Sequence, residues 1–235
     1  MTLNKAIRFY ETGTPEVMRY EDIDVGEPAA GQVRLRHVAA GLNYADTYFR
    51  DGTYQIPLSN GMGVEASGVI EAVGEGVTDF KIGDRVTYTG FLNTLGAYST
   101  ARLISADVLI KLPEEISCET AAAMTMRGLT SAYLMRRIYD FKKGDTILLH
   151  AAAGGVGLIV AQWAKLLGLT VIGTTSSEEK AAIAIYVAHA LRIAGFGVST
   201  PVELKSSELI PVSIADMVAL DTLIDVEFEV DAKDT

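Results

Sequence analysis

The run His150-Ala151-Ala152-Ala153-Gly154-Gly155-Val156-Gly157-Leu158 has the residue types and spacing to cradle a phosphate. It follows a short apolar run, Thr146-Ile147-Leu148-Leu149, and precedes a run with helical spacing, Leu158 to Leu167. Strand, glycine turn and helix, in that order, make the entry half of a dinucleotide-binding unit. A turn without side chains lets the backbone approach a pyrophosphate. The helix that follows points unpaired N–H groups and partial positive charge at the anion. The spelling departs from G-x-G-x-x-G, so the pattern draws its weight from its context. Gly154, Gly155, Val156 and Gly157 are the expected cofactor-binding residues of this turn. A branched side chain at Gly155 is expected to block the pyrophosphate.

The chemistry continues past the helix. Gly168 ends it, and residues 169–174 read as a second strand. Where such a strand ends, a dinucleotide site reads the adenine ribose, and an acid there would accept bonds from a free 2′-hydroxyl. This chain instead offers Thr175, Ser176, Ser177 and Lys180. Hydroxyl donors and a cation suit a 2′-phosphate, which favours NADPH over NADH. Glu178 and Glu179 weigh the other way. The same Ser-Ser-Glu-Glu run also reads as a plain helix cap, and the two readings are compatible.

These residues need a scaffold, and the first half of the chain reads as β-rich. Residues 4–10, 31–38, 68–73 and 85–88 have strand character and are separated by glycine turns. Many short strands of this kind suggest a small barrel-like domain. A helical segment runs from about Cys118 to Tyr139, and residues 140–144 form a polar link into the strand before the glycine turn. The expected architecture is β plus α/β, with the β-rich domain first. A length of 235 residues allows one or two such domains.

Composition narrows the partners. The formal charge is -10 and no Lys/Arg-rich segment occurs, so neither nucleic acid nor an anionic membrane surface is an expected partner. The single cysteine, Cys118, allows no intrachain disulfide and reads as a small buried hydrophobe in a reducing compartment. The first residues carry no apolar signal region, and no uncharged apolar stretch reaches membrane-spanning length. The expected location is cytoplasmic.

Several motifs recur in one order: Gly13-Thr14-Pro15-Glu16-Val17, Gly41-Leu42-Asn43-Tyr44-Ala45-Asp46-Thr47-Tyr48, and Gly61-Met62-Gly63-Val64-Glu65-Ala66-Ser67-Gly68-Val69. Gly83-Asp84-Arg85-Val86, Gly96-Ala97-Tyr98, Arg127-Gly128-Leu129-Thr130-Ser131-Ala132-Tyr133 and the glycine turn follow. Over about residues 5–184 the chain resembles the medium-chain dehydrogenase/reductase superfamily, and within it the zinc-free NADPH:quinone oxidoreductase branch, the zeta-crystallin-like proteins. The resemblance implies a GroES-like substrate domain over residues 1–125 and a partial Rossmann-type NADPH-binding domain over 126–184. It implies hydride transfer from NADPH to a small quinone or enone, with the nicotinamide between the two domains. It places Asn43, Tyr44, Asp46 and Tyr48 on the nicotinamide and substrate side and Thr130 near the cofactor. Tyr48 and Asn43 are the expected catalytic residues. Tyr48 would stack on a quinone or donate to its developing oxyanion, with Tyr54 a weaker candidate at the same mouth. Asp46 has no proton-transfer partner in sequence and is given a positioning role. The bland alternatives are a tyrosine packed at a domain seam for Tyr48, and a helix-interior threonine bonded to its own backbone for Thr130.

Zinc chemistry lacks its ligands. One cysteine and three histidines (His37, His150, His189) cannot build a four-thiolate site. In zinc-dependent relatives a histidine precedes the glutamate of the Gly-Val-Glu-Ala segment, and here that position is Val64. Without a Lewis acid, alcohol oxidation is disfavoured and reduction of an electrophilic acceptor is favoured.

From Ile185 the character changes. Residues 180–235 hold nine acids and four bases. The family would continue with a third strand, a second βαβ half and a return to the first domain, each crossover unit taking about 30 residues. Residues 185–235 are expected instead to be a divergent, acidic, helical tail, a truncated or replaced C-terminal part lacking the usual homodimer edge. Helical spacing is read over 181–194 and 213–227. The order around Ser213-Ile214-Ala215-Asp216 faintly resembles an acyl carrier protein whose serine bears phosphopantetheine. Val212 stands where that family has an aspartate, and a helix cap at Ser213 explains the same residues.

Two function classes remain: an NADPH-dependent quinone reductase, and a non-catalytic fragment or nucleotide-binding protein without turnover. In either case the purified chain is expected to carry no stoichiometric zinc, and chelators should leave any activity intact. About one equivalent of zinc per chain by elemental analysis would overturn the zinc-free reading.

Overall fold

The computed structural model describes residues 4–58, 61–90, 94–188 and 191–193. It divides into two units inside a helix, the first ending at Met126 and the second beginning at Arg127.

In the first unit, β1 (Asn4–Arg8) and β2 (Arg19–Ile23) form an antiparallel ribbon. The main sheet is antiparallel. Its strands are β3 (Gln32–Ala40), β4 (Glu65–Val73), β5 (Arg85–Thr89), β6 (Ala101–Ser105) and β7 (Ile110–Lys111), in the order β6-β3-β4-β5-β7. Strand β3 alternates as a half-buried strand must. Val33 and Leu35 are fully buried, while Arg34 and Arg36 turn outward to Glu71 on β4. Val33, Leu35, Ala66, Ile70, Val86, Tyr88 and Ile104 make the core of this sheet. Among the described residues the ladder does not close into the expected barrel. Strand β1 makes the isolated bridges Ala6↔Ser99 and Arg8↔Gly61 to segments outside the strands of this sheet.

The Gly-Asp-Arg motif has a mechanical role here. The Asp84 carboxylate accepts bonds from the Lys81 N–H and the Lys111 ammonium, closing the turn into β5. The Arg85 guanidinium donates to the carbonyls of Pro113 and Ile116, just ahead of helix α2 (Cys118–Arg136). A shorter helix, α1 (Ala45–Asp51), carries part of the expected site. Helix α1 and strands β2, β6 and β7 were not legible in the sequence. Strand β2 is a solvent-facing edge with no buried residue, so its apolar alternation is absent.

His37 sits inside this unit, with Nδ1 2.7 Å from the Ser99 carbonyl and Nε2 3.1 Å from the Tyr88 hydroxyl. Burial, joined by the charge of Arg102, pushes its pKa down to about 4. The ring is therefore neutral, donating to Ser99 and accepting from Tyr88.

The second unit is parallel. Strands β8 (Thr146–Leu149), β9 (Thr170–Gly173) and β10 (Leu191–Ile193) lie in the order β10-β9-β8. Helix α3 (Gly155–Leu166) links the first two, and α4 (Glu178–Ala188) the last two. The core gathers Ala152, Val160, Ala161, Ala164, Leu169, Val171 and Ala184, with Met135 from α2. Two sequence expectations are corrected. The helix read over 181–194 stops at Ala188, and the third strand that was expected to be missing is present at Leu191–Ile193. A three-residue apolar strand cannot be told from the end of a helix by periodicity. The remaining expectations for the tail, the helix over 213–227 and Ser213 included, lie outside the described residues.

Two predictions follow from this packing. The unfolded chain takes up the His37 proton near pH 6.5 and the folded chain only near pH 4. Stability contributed by the neutral ring is therefore complete above that window and declines as pH falls through it, by roughly 3 kcal/mol in all. Urea unfolding at several pH values should show a steeper decline for the wild-type chain than for His37→Gln, and equal slopes would contradict this. Second, a Cβ at Gly157 would lie 2.5 Å from the Ala151 carbonyl oxygen and 2.7 Å from that of Ala152. Gly157→Ala should lower stability by about 1–3 kcal/mol, measured by denaturant midpoint, because both obstacles are backbone.

Candidate functional site

The glycine turn folds as the sequence implies. Gly154 is the N-cap of α3, with extended backbone, and its N–H donates to the Ala151 carbonyl at 2.7 Å. Ala151 itself has φ +52, the left-handed region, in the tight exit from β8. The turn is tied to the next strand end by the Ala152 N–H to Thr174 carbonyl bond, 3.0 Å, and by His150 Nδ1 to the Thr174 hydroxyl, 3.0 Å. Gly154 and Gly155 are exposed, Val156 is half-buried and Gly157 is buried in the first turn of α3. The first N–H groups of a helix have no intrahelical partner, so this end offers donors to an anion.

The glycines of the turn have different neighbours. A Cβ at Gly155 would fall 2.5 Å from Cδ and 2.6 Å from Nε of Arg127, so the space at this position is taken by an arginine arm. No left-handed φ constrains Gly155. Gly157 is the position where backbone packs on backbone, and Gly154 is the one that opens onto a cavity.

That cavity, of about 380 Å³, is lined by Ala151, Ala153, Gly154, Thr174, Thr175, Ser176 and Lys180. Three expected residues, Gly154, Ser176 and Lys180, therefore meet around one space, with the Lys180 ammonium 3.0 Å from the Ser176 hydroxyl. Ser177 is used otherwise. Its hydroxyl accepts the Lys180 N–H at 3.3 Å, and its carbonyl accepts the Thr175 hydroxyl at 3.1 Å. The cap reading thus applies to Ser177 and the cavity reading to Ser176 and Lys180. Glu178 and Glu179 are exposed and do not line the cavity. A cation, hydroxyls, helix N–H groups and, among the described residues, no carboxylate fit a phosphorylated nucleotide. Thr130 is exposed on α2. Thr174 and Ala151 were missed by the sequence reading, since neither type announces a ligand.

In the first unit, Asn43, Tyr44, Asp46 and Tyr48 gather at the start of α1. Tyr44 is 77% exposed, Tyr48 is half-buried and Asp46 is buried. Tyr44, Tyr48 and Tyr54 meet edge to face in series, with centroids 5.4 and 5.3 Å apart, and Tyr54 backs onto Phe49. Tyr44 and Tyr54 remain exposed at the two ends of this series.

The Asp46 carboxylate turns inward. Its Oδ2 accepts the Asn43 N–H at 3.0 Å and the Tyr98 hydroxyl at 2.5 Å, while its Oδ1 is buried without a partner. Burial raises the Asp46 pKa, and burial together with Asp46 raises that of Tyr98, so the phenol stays a donor. This geometry positions the Asn43 backbone. Asn43 Nδ2 donates to Glu65 Oε2 at 2.8 Å. Glu65 and Tyr98 were quoted in motifs but given no role. The available signal for Glu65 is a charged residue that opens the largely apolar run Glu65-Ala66-Ser67-Gly68-Val69-Ile70. Among the described residues no cluster of three or more Cys, His, Asp or Glu side chains could hold a metal ion, and no helix is long and apolar enough to cross a membrane.

Comparison with known proteins fits both units. Residues 29–114 match the alcohol dehydrogenase GroES-like domain. A quinone oxidoreductase of Pseudomonas aeruginosa is 50% identical over 181 residues, 77% of this chain and 55% of that protein. A 2-haloacrylate reductase of a Burkholderia species is 46% identical over 73% of this chain and 53% of its own length. The crystal structure of Escherichia coli quinone oxidoreductase complexed with NADPH superposes with a TM-score of 0.76 and 43% identity, covering 80% of this chain and 57% of that one. The chain spans about half the length of the curated relatives it matches. The fold is a GroES-like β-rich unit followed by a Rossmann-type unit, and over the matched span the chain is similar to quinone oxidoreductases.

Proposed function

We propose that the chain binds NADPH and reduces a small quinone or enone without zinc. The observation that carries this reading is the cavity where Gly154, Ser176 and Lys180 meet at the N-terminus of α3. Gly154 lets the backbone approach the pyrophosphate, and the helix N–H groups bind it. Ser176 and Lys180 hold the 2′-phosphate by charge-assisted bonds. NADPH, when bound, supplies the hydride. The relatives named quinone oxidoreductase and 2-haloacrylate reductase support an electrophilic acceptor with a polarised double bond.

The residues at the start of α1 do the rest. Asn43 offers an amide held at both its backbone and its side chain. Tyr48 lies in the aromatic series between Tyr44 and Tyr54. Its phenol donates to the acceptor oxygen as negative charge develops there, and the neighbouring rings exclude water. Nucleotide binding without turnover is the second reading. It is favoured by the nucleotide cavity, whose lining among the described residues lies within residues 151–180.

NADPH should bind at least about tenfold more tightly than NADH, since one or two charge-assisted bonds contribute roughly 1.5–3 kcal/mol each. Lys180→Ala should remove most of that preference while leaving NADH affinity nearly unchanged. Calorimetry giving equal affinities for the two nucleotides would contradict the assignment of the cavity. Turnover with a simple quinone then separates the readings: consumption of NADPH selects the reductase, and tight binding without consumption selects the binding protein.

A further inference from the structure

We propose that Glu65 is a positioning residue that fixes which way the Asn43 amide faces. Glu65 is completely buried on β4. Its Oε2 accepts from Asn43 Nδ2 at 2.8 Å, and its Oε1 accepts the backbone N–H of Met126 in α2 at 2.7 Å. A carboxylate only accepts, whereas an asparagine amide has a donor end and an acceptor end. With Oε2 accepting from Nδ2, the Asn43 nitrogen faces Glu65. Its Oδ1 and its second N–H are left for whatever binds there. Low dielectric around the carboxylate polarises the amide that it holds.

Local backbone geometry is arranged around this contact. A Cβ at Gly41 would lie 2.2 Å from Glu65 Oε2 and 2.4 Å from the Ala122 carbonyl oxygen. The Gly41 N–H meanwhile donates to the Glu65 carbonyl at 3.0 Å. The glycine two residues before Asn43 thus leaves the carboxylate a path to its amide. Asp46 grips the other end of the residue through the Asn43 N–H. Two buried carboxylates, one on the main chain and one on the side chain, leave Asn43 a single arrangement.

Glu65→Gln keeps the volume and can still accept from the Met126 N–H. Its new amide nitrogen then confronts the Asn43 nitrogen, so the Asn43 amide turns over. In the wild-type chain, one Asn43 Nδ2 proton should be shifted downfield and protected from exchange in the nitrogen-edited NMR spectrum. Glu65→Gln should abolish both properties. An Asn43 amide whose two protons exchange at solvent rates in the wild-type chain would overturn the proposal, even if the variant failed to fold. The kinetic arm rests on the proposed reductase reading. Glu65→Gln should lower quinone-dependent kcat about tenfold in the wild-type background and less than about twofold in an Asn43→Ala background. Equal losses in both backgrounds would mean that Glu65 acts only through α2, which overturns the positioning role. Absence of wild-type turnover would count against the reductase reading alone, because the NMR arm needs no activity.

Discussion

Helix α3 can begin over the end of β8 only because residue 157 has no side chain. The Ala151 and Ala152 carbonyls occupy the space that a Cβ would need. This close approach sets the rest of the second unit. It brings the helix N-terminus next to the exit of β9, where Ser176 and Lys180 stand, and it ties the turn to Thr174. A longer side chain at 157 would separate the N-terminus of α3 from the Lys180 cation that lines the same cavity. Gly154 and Gly157 thus differ, one lining the cavity and the other allowing backbone contact.

The first unit solves a different problem, which is to hold a polar side chain still. Asp46 and Glu65 are both buried, and both spend acceptor atoms on Asn43. Tyr98 donates to Asp46, and burial keeps that phenol protonated. Buried polar groups of this sort are costly unless bonded, and when bonded they define one geometry. Beside this rigid centre stand the more accessible rings of Tyr44, Tyr48 and Tyr54. A fixed amide next to accessible aromatic rings is what orientation of a flat acceptor requires.

Much of this could be read from the sequence, for identifiable reasons. The turn at 154–157 was legible because strand, glycine turn and helix follow each other within a few residues. Lys180 and Ser176 were legible because they sit a fixed distance beyond it. Strands β3, β4 and β5 showed their alternation or their flanking glycine turns. Other features depend on contacts distant in sequence. Glu65 meets Asn43 across 22 residues and Met126 across 61, and no local pattern encodes either contact. The neighbour of Gly155, Arg127, comes from another helix, and no local pattern encodes that approach. Strand β10 was lost because three residues are too few for a period to appear.

The central claim is that residues 151–180 form a site for a 2′-phosphorylated adenine nucleotide. Its most direct test is an NMR titration of the isotope-labelled chain with 2′-phosphoadenosine 5′-phosphate, the half of NADPH that this cavity would hold. Saturable shifts at the backbone amides of Gly154 to Gly157, Ser176 and Lys180, much weaker with 5′-AMP, are the expected result. Shifts of equal affinity with both ligands, or none at these amides, would contradict the account.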